Sequence, residues 1–99
     1  MDTSDSVAIA IHVVGQCVRV AGEVDVLTAP LVEDAILALS DPVLLDLADV
    51  TFMDSTGLHV LIRCRRSRPQ LRVTAVSPKV ERLIAITDMH CLMEPSVLT

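Results

Sequence analysis

The sequence predicts an α/β domain: a mixed sheet of about four strands packed by about three helices, in the order β-β-α-β-α-β-α. Three observations carry this. The 99 residues are 52% hydrophobic, yet Phe52 is the only aromatic residue, so the core must be built from aliphatic side chains. Residues 7–22 alternate as paired strands do, whereas later segments switch between helical spacing and short apolar runs. The length suits one domain over residues 1–99, with 1–6 expected as a flexible tail.

In chain order, VAIAIHVV (7–14) sets Val7, Ile9, Ile11 and Val13 against Ala8, Ala10 and His12, a strand with a heavier and a lighter face. Gly15-Gln16 marks a hairpin turn, and CVRVAG (17–22) is the returning strand. Thr28-Ala29-Pro30 opens a helix, with Thr28 as a candidate cap and Pro30 in the first turn. Glu33 and Asp34 are expected in its early turns, where the helix dipole favours acids. Leu31, Val32, Ala35, Ile36 and Leu39 repeat at helical spacing until Ser40-Asp41-Pro42 stops them.

VLLDL (43–47) is a nearly continuous apolar run, the pattern of a strand covered on both faces. A second helix is expected from about 55–57 to Ser67, ended by Arg68-Pro69. LRVTAV (71–76) is the next strand, parallel to the last because a helix intervenes. Ser77-Pro78 opens a final helix with Val80, Leu83, Ile84 and Thr87 inward, and residues 92–99 are expected to form a short strand and tail.

Composition narrows the function. The acidic, polar start MDTSDS is not a signal or transit peptide, and no apolar run reaches the ~20 residues of a membrane helix, so a soluble cytoplasmic protein is expected. Cys17, Cys64 and Cys91 are odd in number and lack CxxC spacing, which favours free thiols over a disulfide or zinc framework. Residues 1–54 hold ten acids and one base (Arg19), whereas 55–99 hold three acids and seven bases. With a net charge of −5 and no aromatic platform for bases, a protein partner fits better than nucleic acid.

The polar cluster Asp54-Ser55-Thr56-Gly57 falls between the central strand and the middle helix, an edge where open α/β sheets place recognition sites. The bland reading is a helix cap, supplied by Asp54 or Ser55. Enzymatic readings fail on pattern. A nucleophile elbow needs glycine two residues before the serine, where Met53 stands. His59 shares a helix face with Ser55 but has no acid to orient it. Gly57 lacks the sequence of a phosphate-binding loop, and Asp46, Asp49 and Asp54 form no known metal motif. No enzyme and no cofactor is expected. Phosphorylation remains: a phosphoserine adds about −1.5 to −2 charges, set beside Asp54 and, on the expected topology, near Asp25 and Asp49.

GEVD (22–25), LLDLADVTFMDSTGL (44–58) and AVSPKVERLIAITDM (75–89), in this order, resemble the STAS domains of bacterial anti-sigma factor antagonists. The resemblance spans most of the chain. It implies a STAS-like fold and a protein that, unphosphorylated, binds an anti-sigma factor serine kinase. Phosphorylation then releases the kinase, and a serine phosphatase resets the switch. Any ATP would be the kinase's. The phosphate acceptor is implied at Ser55, with Thr56 as the alternate, and Asp25 belongs to the same surface. Partner contacts are expected at Asp25, Asp54, Ser55, Thr56, Gly57, His59 and Arg63. His59, Arg63 and Arg66 recur along one helix face, either as partner contacts or as a solvated basic face. STAS-like domains also include unphosphorylated scaffold modules of larger signalling complexes and nucleotide-binding regulatory domains, and both stay open here. The chain stops soon after CLMEPSVLT, short of the terminal helix of longer relatives, which would leave an apolar strip and allow a homodimer.

Overall fold

The computed structural model describes residues 9–87. The expected tail at 1–6, Val7, Cys91 and the expected strand at 92–99 lie outside them. Within this range the elements are β1 (Ile9–Val14), β2 (Cys17–Val24), α1 (Ala29–Leu37), β3 (Leu44–Met53), α2 (Ser55–Ser67), β4 (Arg72–Val76) and α3 (Pro78–Thr87). This is the predicted order.

The strands form one sheet in the order β1-β2-β3-β4. The β1–β2 hairpin is antiparallel, and β2–β3 and β3–β4 are parallel. Each parallel pair is joined through a helix, because a tight turn cannot reverse the chain twice. Val18 and Val20 of β2, Leu45 and Leu47 of β3, and Val73 of β4 are fully buried, with Val32 and Ile36 of α1, Leu61 and Cys64 of α2, and Val80 and Ile84 of α3 in the same core. All are aliphatic or thiol side chains, as the composition required.

Among the described residues nothing covers the other face of the sheet. Arg19, Arg72 and Thr74 are exposed there, and Asp46 meets Arg19 across the strands at 3.6 Å. This corrects the expectation that the apolar run of 43–47 is covered on both faces. Leu44 is partly exposed and Asp46 turns outward, because the core that buries Leu45 and Leu47 lies on one side only. β3 also runs well past that segment, to Met53. Its later residues keep pairing with β2, down to Phe52 opposite Glu23 and Met53 opposite Val24.

Two further expectations change at α1. Thr28 occupies the cap position but makes no side-chain cap bond. Its hydroxyl donates to the Glu23 carbonyl at 2.7 Å and accepts from the Asp25 N–H at 2.9 Å, tying the β2–α1 loop together. The first turn of α1 holds no acid, because the helix starts at Ala29 and puts Glu33 fifth. Glu33 instead reaches α2.

At the opposite end of the sheet, Arg68 joins α1 and α2. Its Nε donates to the Leu39 carbonyl at 2.6 Å and its Nη2 to the Leu37 carbonyl at 2.7 Å, at the C-terminus of α1. Gln16 donates to the Ser40 and Pro42 carbonyls at 2.6 and 2.7 Å, fixing the hairpin against the α1–β3 loop.

Candidate functional site

β2 and β3 end side by side, with Val24 opposite Met53. An aspartate follows each strand, and each aspartate folds back onto the chain that follows. Asp25 Oδ1 accepts from the Leu27 and Thr28 N–H groups at 2.9 and 3.1 Å. Asp54 Oδ1 accepts from the Thr56 and Gly57 N–H groups at 2.9 and 3.2 Å, capping α2. The Asp54 N–H bonds the Val24 carbonyl at 3.3 Å, so the second loop hangs directly on the first strand. Asp54 satisfies helix donors that no carbonyl can reach, whereas Asp25 closes the loop that precedes α1.

Two glycines let the loops approach. Gly22 has φ +104° beside a register shift against β3, where Gly22 and Glu23 face Val50 and Phe52, so the extra residue lies in β3 while Val24 keeps the phase of Val18 and Val20. At Gly57 a Cβ would stand 2.8 Å from both Met53 Cγ and Val24 Cγ1. The first turn of α2 therefore rests on the strand ends, with no room for a side chain.

The cap assignment separates the two readings of Asp54-Ser55. Asp54 is the cap. Ser55 is the first helical residue, exposed, and its hydroxyl has no hydrogen-bond partner among the described residues. Thr56 is half-buried and Gly57 buried. His59 is exposed one turn further along α2. Arg63 is exposed but occupied: its Nη2 and Nε donate to Glu33 at 2.9 and 3.3 Å. That hydrogen bond, and then the charge of Glu33, raise the Arg63 pKa further above its ordinary value. Arg63 thus links α1 to α2, while His59 and Arg66 on the same helix stay exposed.

Asp25 joins the site as expected, but Asp49 does not. It pairs in register with Ala21, three residues before Val24 on β2, and so lies about 10 Å back from the strand ends. The acidic surface beside Ser55 is therefore Asp25 and Asp54, with exposed Glu23 opposite Phe52.

Sequence reasoning missed an apolar component. Leu27 is 81% exposed, and Val26 beside it and Phe52, at 43%, are exposed as well. Val26 and Leu27 follow Asp25 directly, and Phe52 lies two residues before Asp54. The available signal was a Val-Leu pair in a loop, where polar residues are usual, and a lone aromatic in an aliphatic protein.

Among the described residues no group of His, Cys, Asp and Glu is arranged to hold a metal ion. Two depressions of about 240–250 Å³ open elsewhere, one lined by Pro78, Lys79 and Arg82 and one by His12, Val14, Cys17 and Arg19. Neither lining includes Asp54–Gly57. No helix among the described residues is long and apolar enough to cross a membrane.

Fold and site together define a small α/β domain that presents one unpartnered serine at the mouth of its parallel strands, framed by carboxylates and exposed apolar side chains. The STAS domain family model matches residues 8–98, and the chain belongs to that family. It is 34% identical over 84 residues to the anti-sigma-B factor antagonist of Staphylococcus epidermidis, covering 77% of this chain and 78% of that protein. The antagonist of Listeria monocytogenes is 35% identical over 83 residues (76% and 73%), and that of Bacillus subtilis 30% over 86 (80% and 79%). Among solved structures, an anti-sigma factor antagonist from Mycobacterium paratuberculosis matches with a TM-score of 0.72 at 27% identity, over 94% of this chain and 87% of that one. Unphosphorylated SpoIIAA shares the fold, with a TM-score of 0.60 at 17% identity over 92% and 90%.

Proposed function

We propose that this protein is an anti-sigma factor antagonist switched by phosphorylation of Ser55. Unphosphorylated, it binds an anti-sigma factor serine kinase through the surface around Ser55; phosphorylation by that kinase releases it, and a serine phosphatase restores binding. Sigma-factor-dependent transcription is the process so controlled. The observation that carries the reading is the division of labour at α2: Asp54 caps the helix, so the Ser55 hydroxyl is exposed and uncommitted.

The physics of release follows from the same cap. A helix N-terminus ordinarily welcomes an anion. Here Asp54 already holds the Thr56 and Gly57 N–H groups, so a phosphate on Ser55 would stay in water above the surface. At roughly 6 Å and an effective dielectric near 40, each unit of its charge would be repelled by Asp54 by about 1.4 kcal/mol. A partner resting on Val26, Leu27 and Phe52 would have to strip water from that phosphate. Losing several kcal/mol of binding, a hundredfold or more in affinity, is the expected result.

The test is capture of partners from native lysate by the unmodified protein, Ser55→Ala and enzymatically phosphorylated protein, read by mass spectrometry. A histidine-kinase-like ATPase bound by the first two and lost with the third is the expected outcome. Equal recovery of that ATPase with the phosphorylated protein would refute the switch.

A further inference from the structure

Among the described residues, the edge of the sheet at β1 lacks the features that normally keep strand edges apart. Natural edges are guarded by charged residues, proline or a bulge. Strand β1 reads IAIHVV, has no Asp, Glu, Lys, Arg or Pro, and pairs with β2 over all six residues without a register shift. By the alternation of an antiparallel ladder, every second residue of β1 turns its N–H and C=O away from β2, towards the free edge. On the helix side of this strand Ile9 and Ile11 are only half-buried, and Val13 is 48% exposed.

The helix above this edge continues the pattern. On α1, Glu33 faces α2 through Arg63. Helical spacing puts Leu31, Ala35 and Ala38 on the opposite flank, and α1 touches β1. Leu31 is 51% exposed, Ala35 half-buried and Ala38 exposed. Strand edge and helix flank form one apolar strip, bordered on α1 by exposed Asp34, three residues from Leu31 and four from Ala38, on a chain with net charge −5.

We propose that this strip is a self-association surface, in which β1 pairs antiparallel with β1 of a second copy across a two-fold axis. Self-pairing fits the strand's own register. Residues that meet across an antiparallel pair must point to the same face, so the axis passes through a residue rather than between two. An axis at Ile11 sets Ile11 against its own copy, Ile9 against Val13 and Ala10 against His12. All three helix-side residues then gain apolar cover, and the two imidazoles stay apart. An axis at His12 would set the imidazoles side by side. The four described strands of each copy then join into one sheet, and the two-fold closes after two copies. Copies of net charge −5 repel, and contact through this strip, whose strand and flank residues carry no carboxylate although Asp34 stands at its border, keeps that repulsion small. One strand pair and one helix flank make a small interface, below about 1,200 Å², so the dimer is weak and concentration-dependent.

Sedimentation equilibrium across about 10 µM to 1 mM tests this. The expected result is a mass rising towards twice the 10.7 kDa monomer. Val13→Lys at the edge and Leu31→Glu on the flank each weaken the dimer at least tenfold, with unchanged far-UV circular dichroism. Leu27→Glu, an equally new charge on the surface near Ser55, leaves it intact. A wild-type chain that stays monomeric throughout overturns the proposal, as does a dimer unaffected by both strip variants or broken equally by Leu27→Glu.

Discussion

Asp54 and Ser55 are neighbours with opposite fates. The Asp54 carboxylate is spent on two backbone N–H groups of α2, whereas the Ser55 hydroxyl is spent on nothing within the described residues. Asp54→Ala should therefore cost about 0.5–2 kcal/mol of stability in urea denaturation, the usual loss for an N-cap. Ser55→Ala should stay within about 0.5 kcal/mol of wild type, as surface substitutions do. An equal cost for both variants would make Ser55 a structural residue. The sequence placed this cluster at a helix start but left the cap open between Asp54 and Ser55. Only the backbone direction at the end of β3 decides which oxygen reaches the free donors.

The helices are held to one another by two arginines of unequal standing. Arg63 and Glu33 form an exposed pair between α1 and α2, worth at most about 1 kcal/mol in water. Arg68 is different, since it donates to the terminal carbonyls of α1 at Leu37 and Leu39 as well as to Ser67 of its own helix at 3.0 Å. Those carbonyls end a helix with no basic residue in its last turn, and Arg68 supplies the missing positive charge. Arg68→Met is expected to destabilise the protein by about 1.5–3 kcal/mol, and Arg68→Lys to recover only part of that. Urea denaturation beside Arg63→Met gives the ranking, and an Arg63 variant as damaging as Arg68→Met would reverse it. From the sequence, Arg68 was only the residue before a proline. Nothing in its neighbours says that a chain segment some thirty residues earlier ends beside it.

For the whole molecule, the core sets how stability responds to pH. Cys64 of α2 is buried in the core, and burial, followed by the charge of Glu33, pushes its thiol up to about 11 from 9.0. The folded state thus keeps a proton that the unfolded chain gives up more readily. Its contribution is complete below about pH 9 and is lost as pH rises towards 11. The urea midpoint of wild type should fall more steeply between pH 9 and 11 than that of Cys64→Ala; parallel curves would show that Cys64 is not the group responsible. The sequence supported buried free thiols in general, but which cysteine is sealed depends on the packing of α1 against α2.

Sequence by itself determined the order of elements, the aliphatic core, the position of the Asp54–Gly57 cluster and its place in the STAS family. These follow from local periodicity and short-range capping chemistry, which a linear pattern records. Tertiary structure decided which face of the sheet is covered, that Asp25 shares the Ser55 surface while Asp49 does not, and that Arg63 is bound while Arg68 locks a helix end. It also exposed Val26 and Leu27 in the loop after β2 and Phe52 near the end of β3, and left β1 as an unguarded edge among the described residues. Each of these depends on strand register and on contacts between residues far apart in the chain. A one-residue slip in register turns a side chain to the other face, and no local pattern encodes that choice.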